Sequence, residues 1–172
     1  MSSRALFLDR DGTLMVDVGY PSQPDQVSLL PGVAEALAAC TAAGYRLSII
    51  SNQSGVGRGY FGPDAVQAVH ERLLELLGAQ GVYIDDARYC LHAPEDQCEC
   101  RKPSPLMIRQ SAEHLGVDTA RSFMIGDKPS DMEAGRRAGC RTILLAPNSG
   151  DVGADHVCAD WAGIRRVVCE GW

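Results

Sequence analysis

The stretch Ala5-Leu6-Phe7-Leu8-Asp9-Arg10-Asp11-Gly12-Thr13 runs from four apolar residues straight into charge, a glycine and a hydroxyl. An apolar run without alternation suits a strand buried on both faces, the kind found in parallel sheets, and Gly12 marks the turn that ends it. Outward from there, short apolar runs alternate with segments of helical period. After Pro31-Gly32, the residues Val33, Ala36, Leu37 and Cys40 recur at helical spacing as far as Gly44, and 47–50 forms the next strand. Asp64 is read as the cap of a helix whose stripe is Val66, Val69, Leu73, Leu74 and Leu77, ending near Gly78 or Gly81. A third strand is expected at 87–91. Ser104 as cap and Pro105 as first helical residue open a helix through Leu115, stopped by Gly116, ahead of a strand at 122–125. A helix over 131–138, a strand at 142–145, an edge strand at 155–158 and a C-terminal helix around 164–168 complete the chain. Strand and helix in turn predict an α/β fold with a mostly parallel sheet, and 172 residues without a linker or repeat predict one domain spanning 1–172.

Sixteen basic against 22 acidic residues leave a net charge of −6, which argues against a nucleic-acid partner. No apolar run approaches the ~18 residues that span a membrane. The apolar segment near the start is too short for a secretory signal core, so the cytoplasm is the expected compartment and disulfides are not expected. Cys40, Cys140, Cys158 and Cys169 are scattered and read as small apolar residues.

In open parallel sheets ligands gather beyond the carboxyl ends of the strands. Three polar segments follow three of the expected strands: Asp9 to Thr13, then Ser51-Asn52-Gln53-Ser54-Gly55-Val56-Gly57-Arg58-Gly59, then Gly126-Asp127-Lys128-Pro129-Ser130-Asp131. Asp9 and Asp11 are paired acids, suited to nucleophile and acid/base work. A calcium loop starting at Asp9 would need glycine and glutamate where Leu14 and Tyr20 stand. The second segment offers hydroxyls, backbone N–H groups and a guanidinium for phosphate oxygens, without the P-loop order. The third suits a hard cation such as Mg²⁺. Arg101-Lys102 adds two cations just ahead of a helix N-terminus, where anions are attracted. Taken singly, each segment also has a reading as an ordinary polar or solvated turn.

Cys90-x-His92-x₅-Cys98-x-Cys100 supplies three thiolates and one imidazole within a short loop. Four such ligands close a tetrahedral zinc site and leave no position for water, so the expected zinc is structural. The loop, 90–100, lies immediately before Arg101 and Lys102.

In this order and on these elements, the segments resemble the four motifs of the haloacid dehalogenase-like phosphatase superfamily: Asp9-Arg-Asp11-Gly-Thr, Ser51, Lys102, and Gly126-Asp127 with Asp131. The resemblance implies a Rossmann-like three-layer α/β/α sandwich. It implies that Asp9 attacks phosphorus, Asp11 is acid and then base, Ser51 and Lys102 hold phosphoryl oxygens, and Mg²⁺ is held by Asp9, Asp127 and the Asp11 main-chain carbonyl. The superfamily usually adds a cap after the first or second motif. Asn52 lies only 41 positions after Asp11, so a minimal cap and an open site are expected, with the zinc loop standing in for a small cap.

Two branches of the superfamily combine this size with the zinc loop, the heptose bisphosphate phosphatases and the histidinol-phosphate phosphatases. Ser51 to Gly59 and Asp17-Val18-Gly19-Tyr20 resemble the heptose branch more closely. That resemblance implies a sugar bisphosphate substrate, substrate contacts at Asp17, Val18, Gly19, Tyr20, Ser51, Asn52, Gln53, Ser54, Lys102 and Lys128, and recognition of the distal phosphate by Arg101; Arg58 is a further candidate from its charge. A monomer acting on a small molecule is the expectation. The alternatives are a histidinol-phosphate or other sugar-phosphate phosphatase and, outside enzymes, a zinc-braced binding module, against which stands the presence of every expected catalytic side chain.

Overall fold

The structure is a computed structural model that describes residues 3–146 and 152–171. Six strands form one sheet: β1 (Arg4–Leu8), β2 (Tyr45–Asn52), β3 (Asp86–Cys90), β4 (Phe123–Gly126), β5 (Arg141–Leu145) and β6 (His156–Cys158). Their order is β3-β2-β1-β4-β5-β6, and every pairing is parallel. Chain order reverses between β1 and β4, so a crevice opens beyond their carboxyl ends. Asp9 and Asp127 stand one residue past those ends.

Five helices cover the sheet: α1 (Val33–Ala42), α2 (Pro63–Gly78), α3 (Leu106–Leu115), α4 (Pro129–Ala138) and α5 (Trp161–Glu170). Alternation along β1 assigns the faces. Leu6 and Leu8 join the core built with α1, α2 and α5, while Ala5 and Phe7 join the core built with α3 and α4. Both faces are covered, which is why β1 reads as continuous apolar sequence. The result is the three-layer α/β/α sandwich that the motifs implied.

Several boundaries move for local reasons. Helix α2 starts at Pro63, with Gly62 as its cap and Asp64 in its first turn. A proline there loses no hydrogen bond, because first-turn N–H groups have no partner within the helix, and Asp64 instead meets the positive end of the helix dipole. In α3 the cap is Pro105; the Ser104 hydroxyl accepts from Leu106 N at 3.2 Å and donates to the Glu99 carbonyl at 2.6 Å. Strand β2 outruns the stretch 47–50 at both ends, taking in the buried Tyr45 and Ser51. The Ser48 and Ser111 hydroxyls meet at 2.7 Å, which satisfies a polar pair inside the core.

Helix α5 is tied to the first motif. Trp161, almost wholly buried, donates from Nε1 to the Thr13 carbonyl at 2.7 Å. The chain's C-terminal layer thereby supports the loop that carries Asp9 and Asp11.

Candidate active site

The loops after β1, β2 and β4 and the segment ahead of α3 line one cleft of about 260 Å³. Asp9, Asp11, Asp17, Gly19, Tyr20, Ser51, Asn52, Gln53, Ser54, Arg58, Arg101, Lys102, Lys128, Ser130 and Asp131 form its walls. Val18 is the member of the 17–20 segment outside that lining, with its side chain turned to solvent.

Lys102 is the centre of charge. Its ammonium lies 2.9 Å from Asp9 Oδ1 and 2.7 Å from Asp131 Oδ1, and it donates to the Ile50 carbonyl at 2.6 Å. Burial works against its charge, but the two carboxylates outweigh it and hold the amine protonated well above the ordinary range. For Asp9, burial alone would raise the pKa; the Lys102 ammonium overrides it and holds the carboxyl below the usual range. Asp9 is therefore an ionised, partly desolvated carboxylate, the state a nucleophile needs.

Two glycines permit the carboxylates to crowd. Gly12 adopts φ +81°, and a Cβ there would meet Asp127 Oδ2 at 2.3 Å. A Cβ on Gly126 would meet Asp131 Oδ2 at 2.2 Å. Helix α4 adds its own constraint, with Asp131 Oδ2 accepting from Lys128 N at 3.1 Å. Side-chain oxygens of Asp9, Asp127 and Asp131 all come within 4.8 Å of one another.

That crowding sets up a cation site. Asp127 Oδ1 is buried with no hydrogen-bond partner among the described residues. Burial, and then the like charge of Asp9, push its pKa up to about 7. Hard oxygen ligands with surplus negative charge suit Mg²⁺. The Asp11 side chain stands apart from this cluster: Arg10 Nε reaches its Oδ1 at 2.9 Å and Gln53 Nε2 its Oδ2 at 3.0 Å.

The segment holding Lys102 is positioned from two sides. Asn52 and Lys102 exchange hydrogen bonds, Asn52 Nδ2 to the Lys102 carbonyl at 3.2 Å and Lys102 N to Asn52 Oδ1 at 3.0 Å. Before it comes the cysteine loop. Cys100 Sγ lies 3.1 Å from Cys90 Sγ, 3.3 Å from His92 Nδ1 and 3.7 Å from Cys98 Sγ, and Cys90 and Cys98 are 3.6 Å apart. Bonds of about 2.3 Å to one tetrahedral zinc put sulfurs roughly 3.7 Å apart, so the spacing of the four side chains is compatible with a zinc site. The loop also grips the cleft: Gln53 N donates to the Cys90 carbonyl at 2.7 Å and Gly57 N to the Leu91 carbonyl at 2.9 Å.

Farther out, Arg101 Nη1 is buried without a partner among the described residues, and Arg101 lines the cleft beside Lys102. Lys128 Nζ stands 3.9 Å from Asp17 Oδ2, and Arg58 Nη1 stands 3.9 Å from Glu95 Oε1 of the cysteine loop. Tyr20 packs edge-on against Tyr60, ring centres 4.9 Å apart, which joins the 17–20 segment to the loop after β2. Neither Arg10 nor Tyr60 carries a role in the motifs, and the sharing of Lys102 by Asp131 emerges only in the fold. Alternation along β1 puts Arg10 on the face of Leu6 and Leu8, a signal that was available.

The chain is similar to known proteins over most of its length. A family model described as HAD-hydrolase-like matches residues 99–156. The chain is 40% identical over 151 residues to a D-glycero-beta-D-manno-heptose-1,7-bisphosphate 7-phosphatase of Pseudomonas aeruginosa, covering 87% of this chain and 85% of that protein. It is 44% identical over 145 residues to the Helicobacter pylori protein of that name, covering 84% and 83%. Among solved structures, D,D-heptose 1,7-bisphosphate phosphatase from B. bronchiseptica, crystallised with magnesium and phosphate, aligns with a TM-score of 0.87 at 32% identity over 99% of both chains. With the motifs on the carboxyl edge of the sheet and relatives matched over most of their length, the chain belongs to the haloacid dehalogenase-like phosphatase family.

Proposed function

We propose that this chain, as a single-domain cytoplasmic monomer, removes the C7 phosphate of D-glycero-D-manno-heptose 1,7-bisphosphate and leaves the heptose 1-phosphate. The observation that carries the reading is one cleft with two cationic places, Lys102 on the nucleophile and Arg101 with an unpartnered buried nitrogen. A bisphosphate has an anion for each. The names of the relatives at 40% and 44% identity support the heptose and point to its β anomer.

In this reading an Asp9 carboxylate oxygen forms a bond to phosphorus as the bond to the C7 oxygen breaks, and Asp11 gives that oxygen its proton. Water then attacks the aspartyl phosphate, passes a proton to Asp11, and frees Asp9 and inorganic phosphate. Two displacements let one carboxyl act first as acid and then as base. Lys102 and the Ser51 hydroxyl meet the phosphoryl oxygens. Asp9, Asp127 and the Asp11 carbonyl would hold Mg²⁺, which when bound offsets the negative charge of the phosphoryl group.

The test is phosphate release from both heptose bisphosphate anomers and from histidinol phosphate, with Mg²⁺ or with EDTA. Turnover of a heptose anomer that EDTA abolishes is expected, and a preference for histidinol phosphate would overturn the substrate while keeping the Asp9 chemistry. Arg101→Ala should reduce kcat/KM for the bisphosphate at least about tenfold more than for a monophosphate, the scale of one charge-assisted contact. Equal losses would remove Arg101 from recognition.

Occupancy of the two metal sites gives two further expectations. Mg²⁺ should raise the melting temperature more at about pH 8 than at about pH 5.5, because Asp127 must shed its proton to bind and metal competes with protons below its pKa. An equal rise at both would argue against Asp127 as ligand. The purified chain should carry one equivalent of zinc by mass spectrometry. Cys98→Ser with Cys100→Ser should lose that zinc and lower the melting temperature by roughly 10 °C, about 3 kcal/mol at this chain length. A metal-free chain of full stability would dismiss the zinc.

A further inference from the structure

Arg10, between the two aspartates of the first motif, has no part in the mechanism above, yet it is wholly buried. Its Nε donates to Asp11 Oδ1 at 2.9 Å and its Nη2 to Oδ2 at 3.3 Å, a forked pair on one carboxylate. Its guanidinium lies over the Tyr89 ring, 5.6 Å from the centre, and the Tyr89 hydroxyl is 2.7 Å from His70 Nδ1. From the other side Gln53 Nε2 reaches Asp11 Oδ2 at 3.0 Å and the Ser51 hydroxyl at 2.8 Å.

A buried guanidinium is costly, and apolar side chains in place of Arg10 and Asp11 together would stabilise the fold about as well, whereas removing Arg10 alone leaves the Asp11 carboxylate unpaired. Stability therefore gives no reason to keep the pair there. Geometry does: a planar fork fixes the plane of the carboxyl group it grips, which a lysine's single rotating ammonium cannot do. Arg10 Cζ lies over the Tyr89 ring, whose hydroxyl is tied to His70, so an aromatic wall lies beside the cation.

We infer that Arg10 is a positioning residue for the acid/base Asp11, clamping its carboxyl against the cleft wall with Gln53 so that it meets the leaving oxygen. The inference rests on the acid/base role proposed for Asp11. Arg10 acts through Asp11 and touches no reacting atom. Its loss should therefore matter most where the leaving group needs a proton.

The test compares kcat/KM, which reports transfer of the phosphoryl group to Asp9, for an alkyl ester, heptose 1,7-bisphosphate, and an activated ester, p-nitrophenyl phosphate, whose phenolate leaves unprotonated. Arg10→Met should lower kcat/KM for the alkyl ester about 100-fold through kcat with KM little changed, and for the aryl ester less than about tenfold, the scale set by a general acid. Arg10→Lys should recover part of the selective loss, and it carries the test if Arg10→Met does not fold. Equal losses on both esters, or no loss, would overturn the inference. Asp11→Asn separates the two readings. If it spares the aryl ester while the Arg10 variants do not, the positioning role fails alone; if it impairs both esters equally, the acid role of Asp11 fails and the clamp with it.

Discussion

Asp9→Asn is expected to lower turnover by on the order of 10⁴-fold or more, at least about 5 kcal/mol of transition-state stabilisation, with the fold intact. An amide of nearly the same shape cannot supply the anionic oxygen that attacks phosphorus, so the covalent route closes. The fold should survive because Lys102 keeps a second carboxylate, Asp131, at 2.7 Å. Asp127 also loses a like charge beside it, one of the causes that hold its pKa up. The checks are steady-state phosphate release and acid-quenched capture of a phosphorylated chain. The variant should yield no phosphoenzyme and melt within a few degrees of the parent; undiminished turnover would remove Asp9 as nucleophile.

Lys102→Met should cost both activity and stability. In the proposed mechanism Lys102 meets the transferring phosphoryl group, and removing such a cation costs about 10³-fold or more in kcat. In the folded chain it also leaves Asp9 and Asp131, already crowded by Asp127, without the ammonium they share. Breaking a buried pair of this kind costs about 3–5 kcal/mol at neutral pH, or roughly 10 °C in melting temperature.

The loss depends on pH with a definite sign. In the parent chain Asp9 is held below its unfolded value, so its contribution is present above that value and is lost as pH falls through the folded one. Without Lys102, burial is left to push Asp9 upward. Its folded pKa then exceeds the unfolded one, and the folded state gains stability as pH falls. The gap between parent and variant should therefore be widest at neutral and alkaline pH and close toward about pH 4, measured by urea unfolding in EDTA. A variant as stable as the parent at neutral pH would mean that Lys102 does not stabilise the crowded carboxylates.

Much of this site could be read along the chain because its parts are local. A strand buried on both faces announces itself as unbroken apolar sequence, and a parallel sheet delivers every such strand's next residues to one edge. Asp9, Ser51 and Asp127 could thus be placed on a common rim before any contact was known. The clustering of Cys90, His92, Cys98 and Cys100 was legible for the same reason, the four spanning eleven consecutive residues.

Arg10 was not legible, although its face was. A charged residue in a polar turn reads as solvated, and its burial depends on Tyr89, which lies 79 residues away on β3. Ser48 is similar: the strand read over 47–50 contains it, but the partner that satisfies its hydroxyl, Ser111 of α3, lies 63 residues on. Pairing of Asp131 with Lys102, and the crowding of Asp127 over Gly12, likewise arise where loops from separate strands converge.

Element types, the strand-end motifs and the metal-binding residue types followed from local sequence, because hydrophobic period, turn chemistry and ligand spacing are properties of neighbours along the chain. The charge state of Asp9 and Lys102, the engagement of both Asp11 oxygens and the raised pKa of Asp127 were settled by folding. Each depends on desolvation and on a partner brought close across the sheet, and neither distance nor burial exists until the layers pack.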